Sequence, residues 1–287
     1  MIYILISICC SVTVGVLLKL ARRYQINIIQ TVTWNYFFAI ILGFIFFHPQ
    51  VKDLVAAPSL LHLSLGILLP LVFWVLAASI KNVGIVKSDI AQRLSLFIPI
   101  LAAYFIFKEQ LTGLKILGLV VGLSAIMLTL FKKQNTAAAS SNWWYAIMVF
   151  VGFGIIDVLF KKIAQTQAVP YTSSLIVVFI IAFVISLLSI LYFVLVKKEK
   201  IALINFFCGG ILGLFNFGNI LFYLKAHQSM AQNPSTVFAA MNMGVIILGS
   251  IIGITLFKEK FSKINYMGLT LALGSIILIT LAQMYAV

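Results

Sequence analysis

The feature that most constrains this chain is a repeated pentapeptide set between long apolar segments. Phe107 to Leu111, FKEQL, returns 150 residues later as Phe257 to Phe261, FKEKF. A glycine follows each copy at the same distance, at Gly118 and Gly268. Aliphatic matches mean little in so apolar a chain, but a shared Phe-Lys-Glu with a glycine at fixed spacing rarely arises by chance. The repeat indicates a duplicated membrane protein, and many transporters are built by such duplication.

Composition excludes a soluble globular domain. Hydrophobic residues make up 63% of the chain and charged residues only 9%, whereas soluble domains carry about a quarter charged residues. The first apolar run, from Ile2, has no basic leader or small-residue cleavage site, so we expect a retained span. The net charge of +14 is spread over short loops. That distribution fits membrane orientation and argues against a nucleic-acid partner.

The apolar segments predict an all-α integral membrane protein with ten transmembrane helices, since each span needs about 20 apolar residues. The candidate spans are 2–20, 29–47, 60–80, 86–106, 112–131, 143–163, 171–196, 203–225, 234–256 and 263–283. The longest connection has the composition of a flexible linker. We therefore expect a first five-helix repeat at 1–133, a linker at 134–142 and a second five-helix repeat at 143–287. Because five is odd, the second repeat must cross the membrane in the opposite sense, as an inverted-topology repeat.

On these motifs the chain resembles the drug/metabolite transporter superfamily, within its EamA group of ten-span proteins. The residues that carry the resemblance are Pro99, Phe107-Lys108-Glu109 with Gly118, Phe257-Lys258-Glu259 with Gly268, and the lysines that close the first span of each half, Lys19 and Lys162. The second copy has Gly249 in place of the proline. The resemblance implies a bundle whose first four spans in each half line a central cavity. It also implies transport of amino acids or related metabolites, with export favoured.

Asp157 is the clearest functional candidate, because an ionisable residue inside a span is costly unless it is solvated or paired. It lies 13 residues beyond Trp144, or about 20 Å along a helix. An offset of 143 sets Val14 opposite Asp157, so the shared fold does not require the acid. Either Asp157 couples protons or contacts the substrate, or it forms a structural ion pair with Lys161 one turn on.

Polar residues at the start of the fourth span form a second group. Asp89, Gln92 and Arg93 share a helix face, and an offset of 150 pairs Gln92 with Asn242. We expect Gln92 and Asn242 to face each other across the central cavity. Structural roles are the alternative: Ser88 as N-cap, Asp89 in the first turn, and Arg93 reaching toward the surface.

The eighth span presents Asn216, Asn219 and Tyr223 at i, i+3 and i+7, hence on one face. These groups either line a cavity or bond to neighbouring helices. The remaining substrate-site candidates are Trp34, Asn35 and Trp74. Mixed aromatic and amide groups suit an amphiphilic ligand.

Glutamates, prolines and glycines at fixed positions predict helix caps, kinks and close helix packing. We expect Glu109 and Glu259 to anchor their turns and cap the helices that follow, and Pro70 and Pro99 to kink their spans. The small-residue pairs are Gly118 with Gly122, Gly209 with Gly213, and Gly249 with Gly253. They allow close helix packing within the chain or, through the fifth and tenth spans, in a dimer.

These observations favour a secondary transporter of a small metabolite, working in the cell membrane by alternating access. The alternatives are a non-transporting scaffold or lipid-handling partner and, with less support, a membrane-embedded enzyme. The three histidines, His48, His62 and His227, have no metal-ligand spacing. We expect no cofactor, a small-molecule substrate, the lipid bilayer and coupling protons as partners, and a monomer or homodimer.

Orientation receives two conflicting predictions. Twelve lysines and arginines lie in or near the odd-numbered loops and six in or near the even-numbered loops, with Lys19 and Arg93 left out as intramembrane. The positive-inside rule therefore places the odd-numbered loops in the cytoplasm and both termini outside. The family resemblance implies cytoplasmic termini.

Overall fold

The computed structural model describes residues 2–24, 26–56, 59–83, 85–129, 143–165, 169–258 and 262–284. Within these ranges the chain is helical and has no strand. The helices are α1 (Ile2–Arg23), α2 (Ile28–Phe47), α3 (Val51–Ala56), α4 (Leu60–Asn82), α5 (Ile85–Leu94), α6 (Phe97–Phe105), α7 (Gly113–Thr129), α8 (Trp144–Gln165), α9 (Tyr171–Lys197), α10 (Leu203–Ser229), α11 (Pro234–Thr255) and α12 (Lys263–Met284). The predicted linker, Glu259 and the side chain of Asp89 lie outside the described residues.

Seven of these helices, α1, α2, α4, α9, α10, α11 and α12, are long and apolar enough to cross a membrane. Two shorter apolar stretches, Ala91–Phe105 and Gly113–Thr129, lie in the predicted fourth and fifth spans. The all-helical, multi-span architecture predicted from composition is therefore present.

The predicted fourth span is broken into α5 and α6, with Ser95 and Leu96 between them. Pro99 explains the break, because it has no N–H to donate to the carbonyl of Ser95. The N–H of Ile98 donates to that carbonyl instead, over 3.0 Å. The kink predicted at Pro99 is thus confirmed, while α4 continues as one helix through Pro70.

Glycines bring α7 and α12 together. A Cβ atom on Gly118 would lie 2.7 Å from Cγ1 of Ile279, and one on Gly268 would lie 2.4 Å from the backbone nitrogen of Thr129. Ser275 Oγ also donates to the Gly118 carbonyl over 2.7 Å. The glycine face of the predicted fifth span therefore serves packing within one chain.

A second pair of glycines joins α2 to α10. A Cβ on Gly209 would lie 2.8 Å from the carbonyl oxygen of Thr31, and one on Gly213 would lie 2.7 Å from that of Asn35. By contrast, a Cβ on Gly249 would meet no described atom within 4 Å, so close packing predicted there is wrong. The α2–α10 contact is one of several between the two halves of the sequence, since α1 also packs on α10 and α4 on α8.

The two Phe-Lys-Glu copies have the same backbone turn where it is described. Lys108 and Lys258 both adopt the left-handed region, with φ of 55° and 53°. The phenylalanine N–H in each copy bonds the carbonyl five residues back, at Ala102 and Ile252. The shared sequence therefore encodes a shared helix-ending turn, in which a lysine occupies a conformation that glycine usually adopts.

In each motif, a lysine from the other half of the chain lies over the phenylalanine ring. Lys19 Nζ lies 3.8 Å from the centroid of the Phe257 ring, and Lys161 Nζ lies 5.9 Å from that of Phe107. Lys161, and not the exposed Lys162, is therefore the counterpart of Lys19 in this contact. The reciprocal arrangement agrees with duplication.

Candidate functional site

A cluster of polar side chains lies between α8 and α10. We call it the polar centre, and its members are Asp157, Tyr223 and His227. Asp157, partly buried on α8, accepts a hydrogen bond at Oδ1 from the Tyr223 hydroxyl of α10 over 2.9 Å. The phenol ring of Tyr223 packs edge-on against Phe160, with ring centroids 6.2 Å apart. An acid inside an apolar helix is thereby directed at another helix of the bundle.

The ion pair considered between Asp157 and Lys161 is not formed. Lys161 is fully buried, and its Nζ donates to the carbonyls of His227 and Ala231 over 3.4 and 3.0 Å. The reason is position: Lys161 lies one turn beyond Asp157, beside the end of α10, where the last carbonyls lack intrahelical donors. Asp157–Tyr223 and Lys161–His227 thus connect the same two helices at two levels, four residues apart on each.

His227 also belongs to this centre, although its spacing from the other histidines indicates no metal site. It has no exposed surface, and neither ring nitrogen has a hydrogen-bond partner among the described residues. The centroid of its ring lies 4.6 Å from the ring centroid of Tyr223 and 4.7 Å from that of Phe238. The available signal was its spacing, because His227 continues the face of Asn216, Asn219 and Tyr223 by one further turn.

The other amides of α10 have different surroundings. Asn219 accepts a hydrogen bond at both its backbone and side-chain oxygens from Ser7 Oγ of α1, each over 2.9 Å. Asn216 is buried. Asn219 thus connects α10 to the first half of the chain, as expected for an amide that bonds a neighbouring helix.

Three predicted site residues hold buried polar atoms without a partner in the described part of the chain. These atoms are Nε1 of Trp34, Oδ1 of Asn35 and Nε1 of Trp74. Buried polar groups are normally paired, so unpaired donors and acceptors inside a bundle are candidates for contact with a polar ligand. No described hydrogen bond joins them to Asp157 or Tyr223.

The structure does not join Gln92 to Asn242. Both side chains are partly buried, and Asn242 Nδ2 donates to the carbonyl of Phe238, within its own helix, over 3.0 Å. Their opposition across a cavity remains a prediction. Arg93 is also partly buried on α5.

The N-cap role expected for Ser88 is wrong. Because α5 begins at Ile85, Ser88 lies inside the helix, and its Oγ is 2.6 Å from Oγ of Ser79. Asp89 likewise lies beyond the first turn of α5.

Glu109 caps a helix, but not the one that follows it. Its Oε2 accepts the backbone N–H of Ser235 over 2.9 Å and its Oε1 accepts Ser235 Oγ over 2.6 Å, at the start of α11. Lys115 Nζ donates to Glu109 Oε1 and, over 2.8 Å, to Oδ1 of Asn233. We call Glu109, Lys115, Lys161, Asn233 and Ser235 the α10–α11 clamp. Sequence spacing missed it because its members come from four separate segments.

The described residues contain no group of three His, Cys, Asp or Glu side chains arranged to hold a metal ion. A groove of about 350 Å³ between α6 and α8 has a wholly apolar lining, of Ile98, Leu101, Ala102, Phe105, Ile106, Ile155 and Val158. None of the predicted site residues lines this groove. The groove therefore offers no polar group to a ligand.

Comparison with known proteins identifies similar sequences and folds. Residues 1–131 match the sequence profile of the EamA-like transporter family. An uncharacterized protein of Haemophilus influenzae is 41% identical over 283 residues, which cover 95% of each chain. A crystal structure covers 99% of this chain and 98% of its own, with a TM-score of 0.72 and 14% identity. At that identity the match supports the fold alone.

Proposed function

Since the chain belongs to the EamA-like transporter family, part of the drug/metabolite transporter superfamily, and is a multi-pass membrane protein, we propose that it is a secondary transporter. Its substrate is a small amphiphilic metabolite, an amino acid or a related compound, and export across the cell membrane is the favoured direction. The family implies transport as such. The substrate class, the direction and the cycle are our proposal.

Ten spans in two inverted halves form the proposed framework, with α5 and α6 together as the fourth span. Packing supports this framework, because contacts between the halves occur in related pairs. The first span, α1, packs on the eighth, α10, while the third, α4, packs on the sixth, α8. The matched turns and reciprocal lysine contacts of the two Phe-Lys-Glu motifs give further support. Such halves can alternate access to a site between them.

The observation that carries the proposal is the Asp157–Tyr223 hydrogen bond. An ionisable side chain within a membrane helix is costly, and here it bonds to another helix of the bundle. A proton or a cationic group of the substrate would compete with Tyr223 for the carboxylate. Asp157 can thereby sense the occupant and couple its movement to protons.

Ligand binding to the purified protein and ligand flux in proteoliposomes test the proposal. Thermal-shift screening against amino acids and related amphiphiles should reveal ligands, because binding to the folded state raises apparent stability. The ligands found are then tested for flux in proteoliposomes, with and without a pH gradient. Binding without flux would favour the scaffold or lipid-handling alternative. Chemical conversion of the ligand would favour an enzyme.

A further inference from the structure

The α10–α11 clamp holds both ends of one interhelical turn with charged side chains. At the end of α10, Lys161 donates to the carbonyls of His227 and Ala231. At the start of α11, Glu109 accepts from the N–H and hydroxyl of Ser235. A cation at a helix C-terminus and an anion at a helix N-terminus both favour the helix dipole. The electrostatics of the clamp are therefore complementary at both helix ends.

The cap on α11 comes from the other half of the sequence. Asn233 is the N-cap residue of α11, yet its side chain makes no cap hydrogen bond, because Lys115 holds its Oδ1. Glu109 takes over the capping role from the loop before α7. Glu109 and Lys115 are only 5% and 3% exposed. The clamp is thus a buried polar connection between the two halves at one end of the bundle.

The clamp is also one helical turn from the polar centre. Asp157 and Lys161 lie on α8, and their partners Tyr223 and His227 lie on α10, with a spacing of four residues on both helices. A shift of α8 relative to α10 that lengthens the Asp157–Tyr223 bond would also act on the Lys161–His227 contact, because both contacts join the same two helices. A change at Asp157 in the polar centre can therefore reach the turn between α10 and α11 through a single turn of α8.

Hydrogen bonds from buried charged groups can join surfaces that open and close. Removing a charged side chain from water offsets much of the attraction it gains, so such a contact adds little net stability compared with apolar packing. The freed groups regain hydration when the contact opens to water. Open and closed states of a polar clamp can therefore be close in free energy, which is what a two-state element requires.

We propose that the α10–α11 clamp is the gate that closes this end of the transport path, with Glu109 as its central residue. The inference rests on the proposed transport function. In the structure the gate is closed. Occupation of Asp157 by a proton or a cationic group loosens the α8–α10 contact and favours release of the turn.

Cysteine accessibility tests the gate directly. Thr236 is suited to the probe, because its side chain is only 1% exposed and it follows Ser235 at the start of α11. Thr236→Cys is introduced after Cys9, Cys10 and Cys208 are replaced by serine, and is labelled with a membrane-impermeant maleimide in proteoliposomes. Glu109→Gln should speed labelling about tenfold or more, since hydrogen bonds to a charged group contribute about 1.5 kcal/mol or more each.

Glu199→Gln is the matched control. Glu199 accepts a hydrogen bond from Asn27 between the halves, but it lies beside the start of α10, about 40 Å from the clamp at 1.5 Å per residue. Its substitution should leave labelling at position 236 unchanged. Should Glu109→Gln fail to fold, Lys161→Met tests the gate by removing the two carbonyl contacts and the charge over the Phe107 ring, while Glu109 and its bonds to Ser235 are kept. The same increase in labelling is expected.

Parallel flux measurements separate the two proposals. Wild-type flux with unchanged labelling in folded Glu109→Gln and Lys161→Met proteins would overturn the gate. Faster labelling in these variants supports the gate as the element that closes this end. A third outcome is faster labelling in the variants, with no flux of any ligand through the wild-type protein. That outcome would show that the clamp opens and would overturn the transport function.

Discussion

Tyr223 donates its hydroxyl hydrogen to Oδ1 of Asp157 over 2.9 Å, from α10 to α8. The carboxylate therefore has a neutral partner and remains available to a cation, which a bond to Lys161 would have prevented. Lys161 instead satisfies carbonyls at the end of α10. Asp157 thus contacts Tyr223, while Lys161 makes a separate contact one turn further along the same two helices, in the proposed gate. This separation makes both residues testable by conservative substitution.

Asp157→Asn should abolish proton-coupled flux while leaving folded, monodisperse protein. The amide oxygen still accepts from Tyr223, but the side chain can no longer bind a coupling proton or attract a cationic group. Flux should fall about tenfold or more, and the remainder should not respond to a pH gradient. Flux is measured in proteoliposomes and folding by size-exclusion chromatography. Wild-type flux with unchanged pH response would remove Asp157 from the coupling role.

Tyr223→Phe isolates the hydrogen bond from the ring. Phenylalanine preserves the packing against Phe160 and His227, so the protein should fold. Loss of the hydroxyl removes a bond to a charged group, and flux should fall about tenfold. Tyr192→Phe is the control, because Tyr192 is 52% exposed on α9. Equal flux in the two variants would show that the Tyr223 hydroxyl is dispensable.

The sequence predicted much of the fold because its signals are local. Apolar run length predicted the long helices but not the short α3. Pro99 predicted the broken span, and the glycine spacings predicted contacts at Gly118 and Gly209. The partners of charged residues were harder to predict. Glu109 bonds Ser235 across 126 positions, and Lys161 bonds a carbonyl near the end of another helix. Such contacts depend on which segments meet in the tertiary structure, and side-chain periodicity shows the face of a helix but not its partner.

Close packing of α2 on α10 should be sensitive to a single methyl group. Gly209→Ala would place a Cβ 2.4 Å from Cβ of Trp34 and 2.8 Å from the carbonyl oxygen of Thr31. Overpacking costs about 1–3 kcal/mol and offsets the gain of up to about 1 kcal/mol in helix propensity. Gly249→Ala has free space and should maintain or raise stability. Thermal unfolding in detergent compares them, and equal midpoints would contradict this packing.

Gln92 and Asn242 should face each other across the cavity as pseudosymmetric partners. Asn242 bonds its own helix through Nδ2, which leaves its amide oxygen for a ligand. In the cysteine-free background, Gln92→Cys with Asn242→Cys should be joined by a short bifunctional thiol reagent. Gln92→Cys with Leu256→Cys is the control, since Leu256 is 64% exposed at the end of α11. If the pair cross-links no more than the control pair does, the two amides lie on different surfaces and the prediction is wrong.

The termini should lie in the cytoplasm, although the loop charges oppose this orientation. Twelve lysines and arginines lie in or near the odd-numbered loops and six in or near the even-numbered loops, so the positive-inside rule would place the odd-numbered loops in the cytoplasm. The family resemblance implies cytoplasmic termini. The proposed inverted repeat is nearly symmetric across the membrane, and we expect the family fold, rather than a few loop charges, to set its orientation. A reporter fused after Val287 decides between the two predictions. Fluorescence from a protein that folds only in the cytoplasm supports cytoplasmic termini, whereas activity of a phosphatase that folds only outside supports the charge distribution.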